Sequence, residues 1–318
     1  MVLITDLLYQ GAQMLIVLGL APLLTGVVRK IKSRLTRRRG ASIFQPYRDL
    51  FRLLRKEAVI AENASWIFRS APYIIFAATW VAAALTPTFR TGLMFSWSAD
   101  LIVIVALLGS ARFFLALAGM DVGTAFGGIG SSREMMIAAF AEPAMLLAVF
   151  SVALIAGSTQ LSAVAAFMTS DVVGLRVSLA LALFALIMVA IAENARIPVD
   201  NPATHLELTM VHEAMVLEYS GRHLAMIEFA SSLKLLLYVS LIASVFVPWG
   251  LAAEGAGAAD NAKGVLVYLG KLLAGGVLLA FFETSTAKMR VFRVPDFLGA
   301  ALMLGFLGAL LLFAGGRF

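Results

Sequence analysis

The chain has 318 residues, 61% of them hydrophobic, with no cysteine, 25 Lys and Arg against 19 Asp and Glu, and a mean hydropathy of +0.93. An apolar share so far above the roughly 45–50% of soluble domains places it in a bilayer, and the lack of cysteine excludes disulfides, thiolate-held iron–sulfur clusters and Cys-type zinc sites within it. The net charge of +6 does not point to nucleic acid, because most of the basic residues lie in or beside loops between apolar spans.

A helix needs about 20 mostly apolar residues to cross a membrane. Eight stretches qualify, at about 7–28, 67–87, 99–119, 135–157, 172–192, 230–249, 264–283 and 297–314. The expected fold is therefore an all-α integral membrane protein, with eight transmembrane helices in a single membrane domain over residues 1–318. The first span follows Asp6 without a basic leader or a small-residue cleavage site, so it is expected to be retained. Twelve Lys and Arg lie between Arg29 and Arg69, and seven more (Arg133, Arg196, Arg222, Lys234, Lys288, Arg290, Arg293) fall in or beside the other loops of that side. Only Arg90, Arg176, Lys263 and Arg317 fall on the opposite side. The positive-inside bias then makes the segments at about 29–66, 120–134, 193–229 and 284–296 cytoplasmic, with both termini on the non-cytoplasmic side of an inner membrane.

The first span ends in the basic run Arg29–Gly40, RKIKSRLTRRRG, which suits topology anchoring and attraction to anionic lipid. In QPYRDLFRLLRKE, Gln45–Glu57, the residues Tyr47, Leu50, Phe51 and Leu54 recur at helical spacing, while Arg48, Arg52, Arg55 and Lys56 take the other face. This predicts an amphipathic helix in the membrane interface, either a lipid float or the border of an opening toward a soluble arm. Gln45 and Asp49 stand at its start.

The third span contains Arg112. A charge at the bilayer centre costs about 2.5–3.5 kcal/mol on insertion scales, so a partner is required, and Asp121 is a nearby candidate. The stretch Asp121–Ser132 is glycine-rich but lacks the Gly-Lys-Ser/Thr of a phosphate loop, and reads as a flexible turn. Ser131-x-x-Glu134 then resembles a capping box opening the fourth span. Glu134 and Glu142, eight residues apart, lie on roughly one helical face. Glu134 serves either as a cap or as a membrane acid; Glu142, just before Pro143, either bonds freed backbone or works as an intramembrane acid, and the cost of burying it favours work.

A short external loop of little charge leads to the fifth span, which ends at Glu193. From Ala192 to Gly221, AENARIPVDNPATHLELTMVHEAMVLEYSG, the chain becomes a polar island with Glu193, Arg196, Asp200, Glu207, Glu213 and Glu218, and with His205, His212 and His223 in it or just beyond. Pro198 disfavours helix before it, and Asn201-Pro202 reads as an N-cap and first turn, predicting a cytoplasmic loop helix over 202–219. His212-Glu213 lacks the second His of a zinc protease, Val216 standing there instead. Glu228 and Lys234, at the start of the sixth span, read as an ion pair; Lys271 and Glu283 lie toward the outer and inner ends of the seventh. The last loop, Thr284–Asp296, carries Lys288, Arg290 and Arg293, which serve topology or docking.

Three motifs together, RRRG followed by FQPYRDLFRLLRKE, GIGSSREMMIAAFAEP, and AENARIPVD continuing to LEYSG, resemble the membrane-subunit family of respiratory NADH:quinone oxidoreductase subunit 1. That family includes counterparts in membrane-bound nickel–iron hydrogenases, the branch of formate hydrogenlyase subunit 4 and hydrogenase-4 component C. The resemblance covers essentially the whole chain. It implies a membrane subunit of a multisubunit redox-driven ion pump, joining a soluble hydrogenase-like arm of large and small subunits to antiporter-like membrane subunits. The carboxylates matching Glu134, Glu142, Glu193, Glu207, Glu213, Glu218 and Glu228 would line an acidic funnel for protons or sodium, with Arg112, Asp121, Arg133, Arg196, Asp200, Gln45 and Asp49 in support or at the docking face. It implies no cofactor in this chain and no catalytic residue; nickel–iron and iron–sulfur centres would reside in partner subunits. Ala203 and His205 replace two acids of the respiratory pattern, the interval to Glu218-Tyr219 is longer, and the first loop is shorter. These departures favour the hydrogenase branch over a quinone-site subunit; a stand-alone transporter and a passive anchor are the remaining alternatives.

Overall fold

A computed structural model describes residues 2–170, 176–200, 210–287 and 289–314. Among them every element is helical, with only two isolated bridges, Arg90 to Ala252 and Asp100 to Gln160. Seven helices are long and apolar enough to cross a membrane: α1 (Val2–Leu35), α3 (Trp66–Leu85), α4 (Leu101–Asp121), α5 (Ala125–Ala156), α9 (Gly221–Phe246), α10 (Ala258–Ser285) and α11 (Val294–Ala314). Between them lie α2 (Gln45–Leu54), α6 (Leu161–Met168), α7 (Val177–Glu193) and α8 (His212–Val216). The seven match seven of the eight expected spans. The fifth corresponds to α7, whose 17 residues give about 25 Å of helix, less than the roughly 30 Å hydrocarbon core.

Several boundaries differ from the sequence reading. At 34 residues, α1 is about 51 Å long, well beyond the roughly 30 Å hydrocarbon core. The glycine-rich stretch is not a flexible turn: α5 already begins at Ala125, where the Thr124 hydroxyl accepts from Gly127 N at 3.2 Å. Ser131 is therefore no cap. It sits inside α5 and donates to Ala116 O of α4 at 2.9 Å. Two of the glycines serve closeness instead: a Cβ on Gly127 would clash with Gly119 O of α4, and one on Gly130 would lie 2.9 Å from Ala214 Cβ of α8. The loop after α5 contains α6. Of the loop helix expected over 202–219, five residues form α8 and the chain leaves the helix after Val216; residues 201–209 lie outside the described set.

Burial orders the bundle. The core of α9 is 67% buried, against 22% for α10 and α11, so α9 is the central post and the last two helices present Leu278, Phe281, Met303 and Phe306 outward. Helix α5 packs against α4, α7 and α11, and α9 against α1 and α3. Small residues on α5, Ala138, Ala141, Ala144 and Ala148, are all buried at these contacts and permit the close helix approach that membrane packing relies on.

Candidate functional site

Four helices bring charge into the apolar core. Arg112 of α4, with a side chain only 2% exposed, faces three acids, one per guanidinium nitrogen: Nε lies 3.2 Å from Glu134 Oε1, Nη1 lies 3.8 Å from Glu142 Oε1, and Nη2 contacts Glu193 Oε1. From α9, Lys234 Nζ reaches Glu193 Oε2 at 2.9 Å. Glu134 and Glu193 are buried, whereas the Glu142 side chain keeps 45% of its surface.

Two expected pairings are thereby corrected. Arg112 does not pair with Asp121: nine residues is two and a half turns of helix, which puts them on opposite faces, and Asp121 Oδ2 instead accepts from Ser65 N at 2.8 Å. Lys234 does not pair with Glu228, six residues earlier and off its face; it takes Glu193. Glu228 stands in the electrostatic neighbourhood of His212, Glu213, Arg29 and Asp49, nearer the basic end.

Three carboxylates against two cations leave the cluster one negative charge in excess, so it becomes neutral when it carries a single proton. Isolated charge in hydrocarbon is costly and paired charge tolerable, which is why these five groups are gathered together inside the bundle. A cavity of about 40 Å³ lies against it, lined by Arg112, Glu134, Glu193, Lys234, Thr79, Asn194 and His212 among others. At about 10–15 Å³ each, this is room for about three waters. On the far side of Arg112 a groove of about 510 Å³ between α4 and α5 is lined by Gly109, Ser110, Phe113, Met135 and Glu142. Phe113 and Met135 are exposed there, so the groove opens on the flank of the bundle.

A second cluster holds the segment after α7. Glu283 of α10, 2% exposed, receives Lys32 of α1 at 2.8 Å and Arg196 at 3.4 Å. Burial pulls the Arg196 guanidinium below its ordinary value and Glu283 opposes that. Ala195 turns the chain with φ 48°, and Pro198 O accepts from Met289 N at 2.9 Å. The two ends of the central motif are thus pinned separately. At the later end, Tyr219 stacks on Phe68 at 4.0 Å and donates to its carbonyl at 2.9 Å; burial, then the nearby Asp121, push the Tyr219 phenol above its ordinary value. Ser220 exchanges hydrogen bonds with Val59. Gly221 has φ +52°, and a Cβ there would lie 2.3 Å from Glu57 O. The Glu-Tyr-Ser-Gly run therefore joins the tail of α2 to the start of α9.

The remaining candidates scatter. Arg133 Nη1 donates to Met210 O at 2.8 Å, and Gln45 Nε2 to Asp49 Oδ1 at 3.1 Å. Asp200 is buried, Glu213 half-buried on α8, Glu218 exposed, and Glu207, His205 and Lys288 lie outside the described residues. Among the described residues no three His, Asp or Glu converge as a metal site. Lys234 and Glu283 were not singled out as site members by sequence; Lys234 is a lone charge in an otherwise apolar span, the signal that identified Glu142, and Glu283 shares its span with Lys271 alone.

Comparison with known proteins gives the family and the fold. A family described as NADH dehydrogenase matches residues 10–314. Formate hydrogenlyase subunit 4 of Escherichia coli (strain K12) is 32% identical over 309 residues, covering 97% of this chain and 99% of that protein. Hydrogenase-4 component C of the same organism is 35% identical over 283 residues, 88% and 87% of the two chains. A chain in the structure of the membrane-bound sulfane sulfur reductase, an archaeal respiratory membrane complex, superposes with a TM-score of 0.82 at 19% identity, covering 96% of this chain and 99% of that one, and shares the fold.

Proposed function

The chain belongs to the NADH dehydrogenase family, and from that premise we propose that it is the multi-pass membrane subunit of a multisubunit redox-driven ion pump of the hydrogenase type. The carrying observation is the Arg112 cluster, in which Glu134, Glu142, Glu193 and Lys234 meet inside the bundle with one acid in excess. Likeness to the two hydrogenase-complex subunits over nearly their whole lengths supports the branch. In this reading α7 completes eight spans in one domain, α2 lies in the cytoplasmic interface, and both termini face away from the cytoplasm of an inner membrane. A soluble arm of hydrogenase-like large and small subunits, which would hold the nickel–iron and iron–sulfur centres, docks on the basic end near α2, α8 and the Glu-Tyr-Ser-Gly run. Redox turnover in that arm moves charge near Glu213, Glu218, Glu228 and His212, and the cluster answers by taking or releasing a proton, or by exchanging it for sodium. Glu142, half-exposed on the flank, faces an antiporter-like membrane subunit that carries the ion onward.

A second reading, a subunit that binds a lipid-soluble quinone, is favoured by one feature: an apolar groove of about 570 Å³ between α7, α9 and α10, with Arg196 and Lys271 among its lining residues. Purification of the intact complex through this chain distinguishes them. Stoichiometric nickel, with hydrogen-linked turnover that moves ions into sealed vesicles, supports the first. Quinone reduction without nickel supports the second, and turnover of a tightly sealed preparation without ion movement overturns the pump.

A further inference from the structure

Among the described residues, Arg112 alone lines both the small cavity and the flank groove. On the cavity side stand Glu134 of α5, Glu193 of α7, His212 of α8 and Lys234 of α9, with the Thr79 hydroxyl of α3; on the groove side stands Glu142. Tyr238 of α9 is the further titratable group within electrostatic range of Arg112 and Glu142. No titratable group is common to the two spaces except the guanidinium itself. Its three nitrogens each approach a different acid, Nε at 3.2 Å and Nη1 at 3.8 Å, with Nη2 in contact with Glu193. The attraction is therefore shared charge rather than one fixed fork, and a planar guanidinium held in this way can lean toward whichever acids are ionised.

We propose that Arg112 is a positioning residue that separates two proton-holding compartments, a cavity compartment at Glu134 and Glu193 and a flank compartment at Glu142, and links their charge states by leaning from one to the other.

The proton balance is simple. A proton from solvent at the basic end forms an O–H bond on Glu193, whose carboxylate then no longer attracts Arg112. Lys234 loses its anion as well, and the guanidinium is balanced by Glu134 together with Glu142. When that O–H bond breaks and the proton is taken up by Glu142, Glu142 is neutral, and Arg112 returns to Glu193. One proton moves, no electron is transferred, and the five-group cluster is neutral before and after. Lysine at this position offers a point charge on a thinner stem and cannot face three acids at once.

This inference rests on the ion-coupling reading for its use, but it also has a readout independent of pumping. In the intact purified complex, pH-jump infrared difference spectra count protonated carboxyl groups by the intensity of the carboxylic-acid band, which Glu142→Gln and Glu193→Gln, each leaving two acids against two cations, are both expected to diminish. Arg112→Gln leaves three acids facing Lys234 alone, so the carboxylic-acid signal is expected to double; a signal equal to the parent's overturns the proposal. Arg112→Lys keeps the charge and is expected to keep the parental signal. The double variant Arg112→Gln/Glu134→Gln removes one charge of each sign, which guards assembly, and is expected to hold one proton like the parent while ion movement per electron pair in vesicles falls at least tenfold. Parental ion movement in that double variant overturns the separation of compartments. If the parent complex turns over without moving ions, the pump reading fails, and the carboxyl count still decides the role of Arg112.

Discussion

The two ends of the bundle bury polar side chains in opposite ways. Near the basic end and midway through the helices the buried groups are ionisable and opposed: Arg112 and Lys234 against Glu134, Glu142 and Glu193, and Lys32 and Arg196 against Glu283. At the far end the buried groups are mainly amides and hydroxyls. Gln13 Nε2 donates to Ala84 O at 2.9 Å and Thr86 O at 2.7 Å, Gln10 joins at Ala84 O at 3.2 Å, and Asn261 bonds Ala256 O and Gly257 O. The charged member there, Arg90, is 4.4 Å above the Tyr9 ring and 3.8 Å from Asp6, a one-to-one pairing. Amides bonded to backbone fix helix ends and cannot change charge near neutral pH. The inner cluster has unequal numbers of acids and bases, and in the proposed coupling it is the part that takes up a proton. Stiffness and response are thus divided along the same helices.

That division is sharpened by substitutions at each end. The largest loss of stability is expected for Glu193→Leu, which leaves the buried Lys234 without its acid and takes one of three acids from Arg112; removing one side of a buried pair costs about 3–5 kcal/mol, read as a lowered thermal midpoint of the purified complex. Glu283→Leu leaves Lys32 and Arg196 without their acid and is expected to cost about 3 kcal/mol, somewhat less because the Lys32 side chain is 34% exposed. Limited proteolysis after Ala195 should accelerate in that variant. Gln13→Leu removes two bonds to backbone carbonyls and is expected to cost about 1–3 kcal/mol, with ion movement per electron pair unchanged. Smallest is Asp49→Asn, whose pair with Arg52 at 3.2 Å is exposed; less than about 1 kcal/mol should follow.

How far the sequence revealed this depends on the range of the interaction. Apolar runs are local, so seven spans were legible directly, and Glu134 with Glu142 could be placed on one face by counting turns. Glu193 and Lys234 are 41 positions apart on different helices, and no periodicity links them. Nearest-neighbour logic instead offered Asp121 to Arg112 and Glu228 to Lys234, and helical geometry defeats both. The glycines from Gly123 to Gly130 looked like a flexible turn because glycine disfavours helix; Gly123 does lie in a turn with φ +70°, while close contacts of Gly127 with α4 and Gly130 with α8 override that propensity from Ala125 onward. The Glu-Tyr-Ser-Gly run was recognisable as a motif, but its purpose, a joint to the tail of α2 through Ser220 and Gly221, depends on a segment some 160 residues away.

The most direct test sets one residue from each end side by side. Sealed vesicles carrying the intact complex with Glu193→Gln or with Gln13→Leu are driven by the same electron donor, and ions moved per electron pair are counted in each. Glu193→Gln leaves two acids against two cations, a cluster already neutral without a proton, so ion movement should fall at least tenfold while electron transfer to an artificial acceptor continues. Gln13→Leu should move ions at the parental ratio. Parental ion movement in Glu193→Gln, or equal loss in both variants, would contradict the assignment of ion coupling to the Arg112 cluster.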